Sequence, residues 1–183
     1  DNVFVGENSG TNCDGCDGNV AIGGDAYLWS NFDAIFGYSL ADGLAAPGFD
    51  LEEGVGNTMV GANSGADVGD GNFNTFFGYS AGGNTEHGDY NTFVGAYAGW
   101  DNNRNNNTAN ANRNTYIGAL AGGTNREGED NIVIGFNADF TDDDENGNTA
   151  TIMIGDNSSM DGNSSISIGY DGWMDAANSV GIG

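Results

Sequence analysis

One five-residue phrase recurs along the chain and limits what it can fold into: a polar residue, three residues of strand character, then a glycine. It stands as Asn2-Val3-Phe4-Val5-Gly6, Asn57-Thr58-Met59-Val60-Gly61, Asn91-Thr92-Phe93-Val94-Gly95 and Ser165-Ile166-Ser167-Ile168-Gly169, and eleven times in all over 183 residues. Successive phrase glycines are 17, 14, 24, 17, 17, 23, 17, 20, 14 and 14 residues apart, a 14-residue unit lengthened by 3, 6, 9 or 10. A fixed coil that accepts loop insertions on its solvent side has this signature, which predicts an all-β, parallel β-solenoid of about eleven short coils. The whole of residues 1–183 reads as one repeat domain, with the main insertions at about 38–56 and 96–113.

Within the phrase, the residue before the glycine is Val, Ile or Phe, and the residue two earlier is Val, Ile, Ala or Thr. Side chains two apart share a face of a strand, so these positions are expected to form the interior column, with Thr58, Thr75, Thr92 and Thr115 stacked in its middle section. The residue between them should then point outward. It is Phe4, Ile35, Met59, Phe76, Phe93, Tyr116, Val133 and Met153 in most copies, an apolar stripe expected to be an interface between chains, with Ala21, Ser167 and Gly181 loosening it. The glycine calls for a positive φ or a close backbone approach. Small-residue tails such as Ala96-Tyr97-Ala98-Gly99 are expected to form a second, narrow strand. At roughly 4.8 Å per stacked strand the rod would be about 50 Å long and too slim for a large core. Trimerisation would cover the stripe and enlarge the core together.

Charge narrows the partners. Lysine is absent, Arg104, Arg113 and Arg126 are the only basic residues besides His87, and the formal charge is −24. Nucleic acids and anionic membrane surfaces are excluded as partners, while high ionic strength and divalent cations are tolerated or attracted. No run of about 18 apolar residues occurs, which argues against membrane insertion by this segment. The first residues lack the charged and apolar regions of a signal peptide, so the sequence reads as mature or excised. Cys13 and Cys16 share one turn, where a local disulfide, two free thiols or half of a metal site are the alternatives. The extracellular character of the rest places the disulfide first.

Asp142-Asp143-Asp144-Glu145-Asn146-Gly147 has the alternating oxygens and glycine of a calcium loop. Its twelfth position is Met153, which cannot ligate, so the candidate set is Asp142, Asp144 and Asn146 with Asp139 as replacement. Asp67, Asp70 and Asn72, or Asp14 and Asp17, are weaker sets. His87 lies in an insertion loop with no nucleophile implied beside it, and no nucleophile elbow, phosphate loop or zinc signature occurs, so no catalysis is expected. Trp29, Trp100 and Trp173 lie in or beside loops, where packing between chains is favoured over stacking on sugars. Sequons begin at Asn106, Asn157 and Asn163.

The units Asn163-Ser164-Ser165-Ile166-Ser167-Ile168-Gly169 and Asn178-Ser179-Val180-Gly181-Ile182-Gly183 resemble the 14-residue head repeats of trimeric autotransporter adhesins (the YadA-like family), which read Asn-Ser-Val-Ala-Ile-Gly. The longer Asn-Thr-Phe-Val-Gly units are similar to repeats of bacterial surface fibres and phage tail-fibre shafts. The resemblance implies a left-handed parallel β-roll, three chains about one axis, and adhesion to a host surface, matrix or glycan. Most units exceed 14 residues, and the 183 residues include no neck, coiled-coil stalk or membrane anchor, so the resemblance does not choose between an adhesin and a virus fibre. The expectation is an extracellular, non-enzymatic fibre module at a cell or virion surface, associating with itself as homotrimer or fibre. A self-stacking filament subunit is the alternative. An ice-binding solenoid is the remote one, because its threonine array would have to lie outside the core.

Overall fold

A computed structural model describes residues 3–6, 20–22, 34–36, 54–103, 111–141 and 148–183. Every regular element among them is a strand. These are β1 (Val3–Val5), β2 (Val20–Ile22), β3 (Ala34–Phe36), β4 (Thr58–Val60), β5 (Thr75–Phe77), β6 (Thr92–Val94), β7 (Thr115–Ile117) and β8 (Ile132–Ile134). There follow β9 (Asp139–Phe140), β10 (Ile152–Ile154), β11 (Ser159–Met160), β12 (Ile166–Ile168), β13 (Trp173–Met174) and β14 (Val180–Ile182). Eleven of them form one sheet in the order β1-β2-β3-β4-β5-β6-β7-β8-β10-β12-β14, and β13-β11-β9 form a second. All pairs are parallel, and each rung pairs with the same three positions of the next: Val94 with Ile117, Ile117 with Ile134, Ile134 with Ile154. The phrase is thus one rung of a β-solenoid, and the eight rungs from β4 to β14 span about seven turns.

The faces of the rungs are the reverse of the expectation. Met59, Phe76, Phe93, Tyr116, Val133 and Met153 are fully buried inside the coil, whereas Thr75, Phe77, Ile117, Ile132 and Ile168 are exposed and Thr58, Val60, Val94 and Ile134 are half-buried. The middle residue belongs to the core and the flanking pair to the surface. Phe4, in the terminal rung, is 40% exposed, and the side chain of Ile35 lies outside the described residues.

Two physical reasons produce this inversion. The first is volume. Phe76, Phe93 and Tyr116 stack face to face, with centroids 5.0 and 4.8 Å apart and planes within 11° and 5°. They fill the coil because the chain opposite is nearly bare: Ala81-Gly82, Ala98-Gly99 and Ala121-Gly122. A Cβ on Gly82 would lie 2.7 Å from the Phe76 ring, so the large residue and the small tail require each other. Toward β14 the sizes exchange. The middle residue shrinks to Ser167 and then Gly181, while Met160 and Met174 enter from the second sheet, and a Cβ on Gly181 would lie 2.6 Å from the Met174 methyl. Ser167 and Gly181 therefore mark a change in which strand fills the core, not a loosened interface.

The second reason is the asparagine that opens each phrase, which shares the inner face with the middle residue and is fully buried at 57, 74, 91, 114 and 131. Its side chain is satisfied at both ends. Asn91 Nδ2 donates to the Ala111 carbonyl of its own coil at 2.9 Å, closing the turn, and its Oδ1 accepts from the Asn114 N–H of the next coil at 2.9 Å. Asn57, Asn74, Asn114 and Asn131 repeat the pattern. A buried amide with its bonds made avoids the desolvation penalty that would otherwise drive it outward. In the last coils the Thr151 hydroxyl donates back to Asn131 Oδ1 at 2.8 Å, and the Ser165 hydroxyl repeats the ladder pattern, donating to the Ala176 carbonyl and accepting the Ser179 N–H.

In the described 17-residue coils the tails are turns; only β9, β11 and β13 give the expected second strand. The phrase glycine meets both of its expected roles. At Gly95 φ is +137°, and a Cβ would lie 2.5 Å from the Gly118 carbonyl oxygen in the next coil. A second corner, just before the polar residue that opens the phrase, holds ordinary residues in the left-handed region: Phe73, Tyr90, Arg113, Asp130, Ala150, Ser164 and Asn178, with φ from 55° to 61°. That conformation costs a residue with a Cβ about 1–2 kcal/mol. Ala150→Gly, at an exposed corner with φ 57°, should therefore raise stability by about 0.5–1 kcal/mol, net of the greater freedom of glycine in the unfolded chain. Chemical denaturation of the two proteins checks this.

Candidate functional site

The inversion leaves two outward columns on the long sheet. One runs through Val60, Phe77, Val94, Ile117, Ile134, Ile154, Ile168 and Ile182, in register from rung to rung. The other begins with Thr58, Thr75, Thr92 and Thr115 and continues as Ile132, Ile152, Ile166 and Val180. Neither contains a charge, in a chain of net charge −24. Phe77 is 56% exposed and Ile117 40%. The sequence reading found the columns but placed them inside, and so missed this surface.

Beside the strip, the left-handed corner stacks Phe73 on Tyr90 at 5.2 Å. The next residue in that corner, Arg113, bridges to Asp130 at 2.6 Å and Glu129 at 2.7 Å in the following coil. The hydrogen bond from Arg113 holds the exposed Asp130 carboxyl below its usual range. A further ladder, two residues before each phrase asparagine, runs Asn72, Asp89 and Asn112, each side-chain oxygen taking the backbone N–H of the preceding coil at 2.7–2.9 Å. Asn72 of the second calcium set is used here, which makes it part of the scaffold.

On another side of the coil, a cleft of about 210 Å³ is lined by Tyr97, Trp100, Leu120, Gly123, Thr124, Asn137 and Asp139. Tyr97 and Trp100 meet edge to face, centroids 5.4 Å apart at 70°, so their rings form a corner. Trp100 lies over Gly83, where no Cβ would fit, and Tyr97 packs on Tyr79 at 5.3 Å. A hydrogen bond with Tyr79 pushes the Tyr97 phenol up. Across the cleft, Asp139 Oδ1 accepts from the Thr124 N–H at 3.1 Å, the Thr124 hydroxyl at 3.2 Å and the Phe140 N–H at 2.9 Å. Trp100 therefore packs within its own chain.

The other expected sites divide plainly. Asp142, Asp144 and Asn146, Cys13 and Cys16, Asp14 and Asp17, Trp29 and Asn106 lie outside the described residues. Asp139 sits in the cleft, and among the described residues no group of three or more His, Cys, Asp or Glu is arranged to hold a metal. His87 Nδ1 stands 3.8 Å from Asp70, and the His87 backbone N–H donates to Asn103 Oδ1 at 3.0 Å. Trp173 is 70% exposed at the far end of the second sheet. Asn157 and Asn163 of the sequons accept from Asn137 and from the Thr149 N–H. Among the described residues no helix is long and apolar enough to cross a membrane. Compared with family models, curated proteins and solved structures, the chain matches none.

Proposed function

We propose that the chain is a non-enzymatic, extracellular fibre module of the adhesin type, a left-handed roll of eleven coils whose outer sheet face joins three copies about one axis. The observation that supports this is the uncharged, in-register strip from Val60 to Ile182. Over these eight rungs the strip is about 35 Å long and 10 Å wide, on the order of 350 Å², the size of the largest and often functional apolar patch on a monomeric protein. Joining such strips also moves the slim core toward the size a stable domain needs. Three chains, handedness and attachment to a cell, matrix or glycan follow from the likeness to adhesin head repeats; a phage fibre shaft has the same physics.

Sedimentation analysis tests it. The unmodified chain is expected at about three times 18.8 kDa. Association should tighten as salt screens the repulsion between chains of charge −24, from about 0.05 to 1 M NaCl. Ile117→Asp should leave the circular dichroism unchanged and yield monomers. A monomer at every salt concentration overturns the reading.

A second reading shares this face. Thr58, Thr75, Thr92 and Thr115 project outward on successive rungs, which puts the threonine array of an ice-binding solenoid outside the core, although it stops after four rungs at Ile132. Thermal hysteresis in a monomeric protein supports it; none, in a trimer, leaves the fibre module.

A further inference from the structure

We propose that the cleft between the coils of β6, β7 and β8 binds a small organic ammonium cation, with Asp139 as counter-ion and Tyr97 and Trp100 as the aromatic wall. None of its lining residues belongs to the outer strip, so the inference stands whether or not three chains associate.

Three observations point to this chemistry. The rings of Tyr97 and Trp100 meet at 70°, so two sides of a guest can face aromatic groups at once. Ring faces carry negative charge and attract cations held within about 6 Å. A carboxylate completes the lining, and its orientation is fixed by three donors on Thr124 and Phe140. The cleft lies on a chain of charge −24, which repels anionic ligands and concentrates cationic ones. The walls are held before any ligand arrives, Trp100 against Gly83 and Tyr97 against Tyr79. Gly123 brings bare backbone beside the carboxylate: a Cβ there would stand in contact with Asp139 Oδ2, at 3.4 Å. Methylated ammonium suits the site better than a bare one, because weak hydration and apolar methyls match Leu120 and the rings. A sugar would use the rings but gain little from the acidic field.

Titration of the unmodified chain with choline, followed by the NMR signals of the Trp100 indole N–H and the Gly123 amide, tests the proposal. The expected dissociation constant is roughly 1–10 mM, as suits one ionic and two ring contacts at an open site. The neutral isostere 3,3-dimethylbutan-1-ol should bind at least about tenfold more weakly. Asp139→Asn, which keeps the acceptor for Thr124, should weaken choline about five- to tenfold, and Tyr97→Leu similarly, with folding checked by circular dichroism. Sedimentation with phosphatidylcholine vesicles separates the sources: binding to vesicles assigns a surface headgroup, binding to free choline alone a solute. Equal binding of the isostere, tighter binding of methyl glucoside, or no shift up to about 50 mM choline overturns the proposal.

Discussion

Phe93→Ala is expected to destabilise the protein by about 3–5 kcal/mol, whereas Val94→Ala, one residue on, costs less than about 1 kcal/mol. Phe93 is fully buried between Phe76 and Tyr116 and against Gly99, so its removal leaves a cavity that the glycine-lined wall cannot close. Val94 is only half-buried and faces outward. For a chain of this length the first change should lower the melting midpoint by roughly 10 °C, which thermal unfolding followed by circular dichroism will measure. The reverse order of the two variants would restore the arrangement with the flanking residues inside.

The second large effect concerns the asparagine ladder. Asn114 Nδ2 donates to the Gly128 carbonyl at 2.9 Å and to Asn102 Oδ1 at 3.3 Å, and its Oδ1 accepts the Asn131 N–H at 3.0 Å. Asn114→Ala strips the buried Asn131 N–H of that acceptor and should cost about 2–4 kcal/mol in urea denaturation. Asn114→Asp should cost more, because it leaves a carboxylate in a fully buried position facing the Gly128 carbonyl. Asn114→Ser should recover part of the loss. Ser165 shows how: its hydroxyl donates to the Ala176 carbonyl at 2.7 Å and accepts the Ser179 N–H at 3.2 Å. An alanine variant as stable as the serine one would mean that the ladder contributes nothing.

The repeat, its phase, the parallel stacking and the role of the phrase glycine were all legible in the sequence, because glycine spacing and strand period are local signals. Which face points inward was not. Thr-Phe-Val and Ile-Val-Ile carry apolar groups on both sides of the strand, so a period of two divides the residues into faces without orienting them. Orientation was inferred from the Val, Ile or Phe before each phrase glycine, taken with the residue two earlier as the interior pair, and that is where the reasoning failed. Asn57, Asn74 and Asn91 are inside because stacking supplies each with a donor and an acceptor, which no single repeat reveals.

A usable signal was nevertheless present. The largest middle residues, Phe76, Phe93 and Tyr116, are followed by Ala-Gly tails, whereas Ser167 is followed in its coil by Met174, which also packs against Gly181. Compensation of that kind requires the two segments to face each other across a core. The cleft was less legible still, since Tyr97 and Asp139 stand 42 residues apart in sequence and meet only because coils stack. Trp100 was noticed as a loop tryptophan; its seat on Gly83 was not.

The central claim is that the middle residue of the rung points into the coil, and that in the coils of Phe76, Phe93 and Tyr116 it fills the core against the small tail of the same coil. Nuclear Overhauser contacts between the α-protons of Gly82, Gly99 and Gly122 and the rings of Phe76, Phe93 and Tyr116 test it most directly, since a Cβ on Gly82 or Gly122 would stand only 2.7 and 2.5 Å from its ring. Those three cross-peaks are expected, one within each coil. Contacts from the same glycines to the methyl groups of Val94 and Ile117, with the rings open to solvent, would contradict the account.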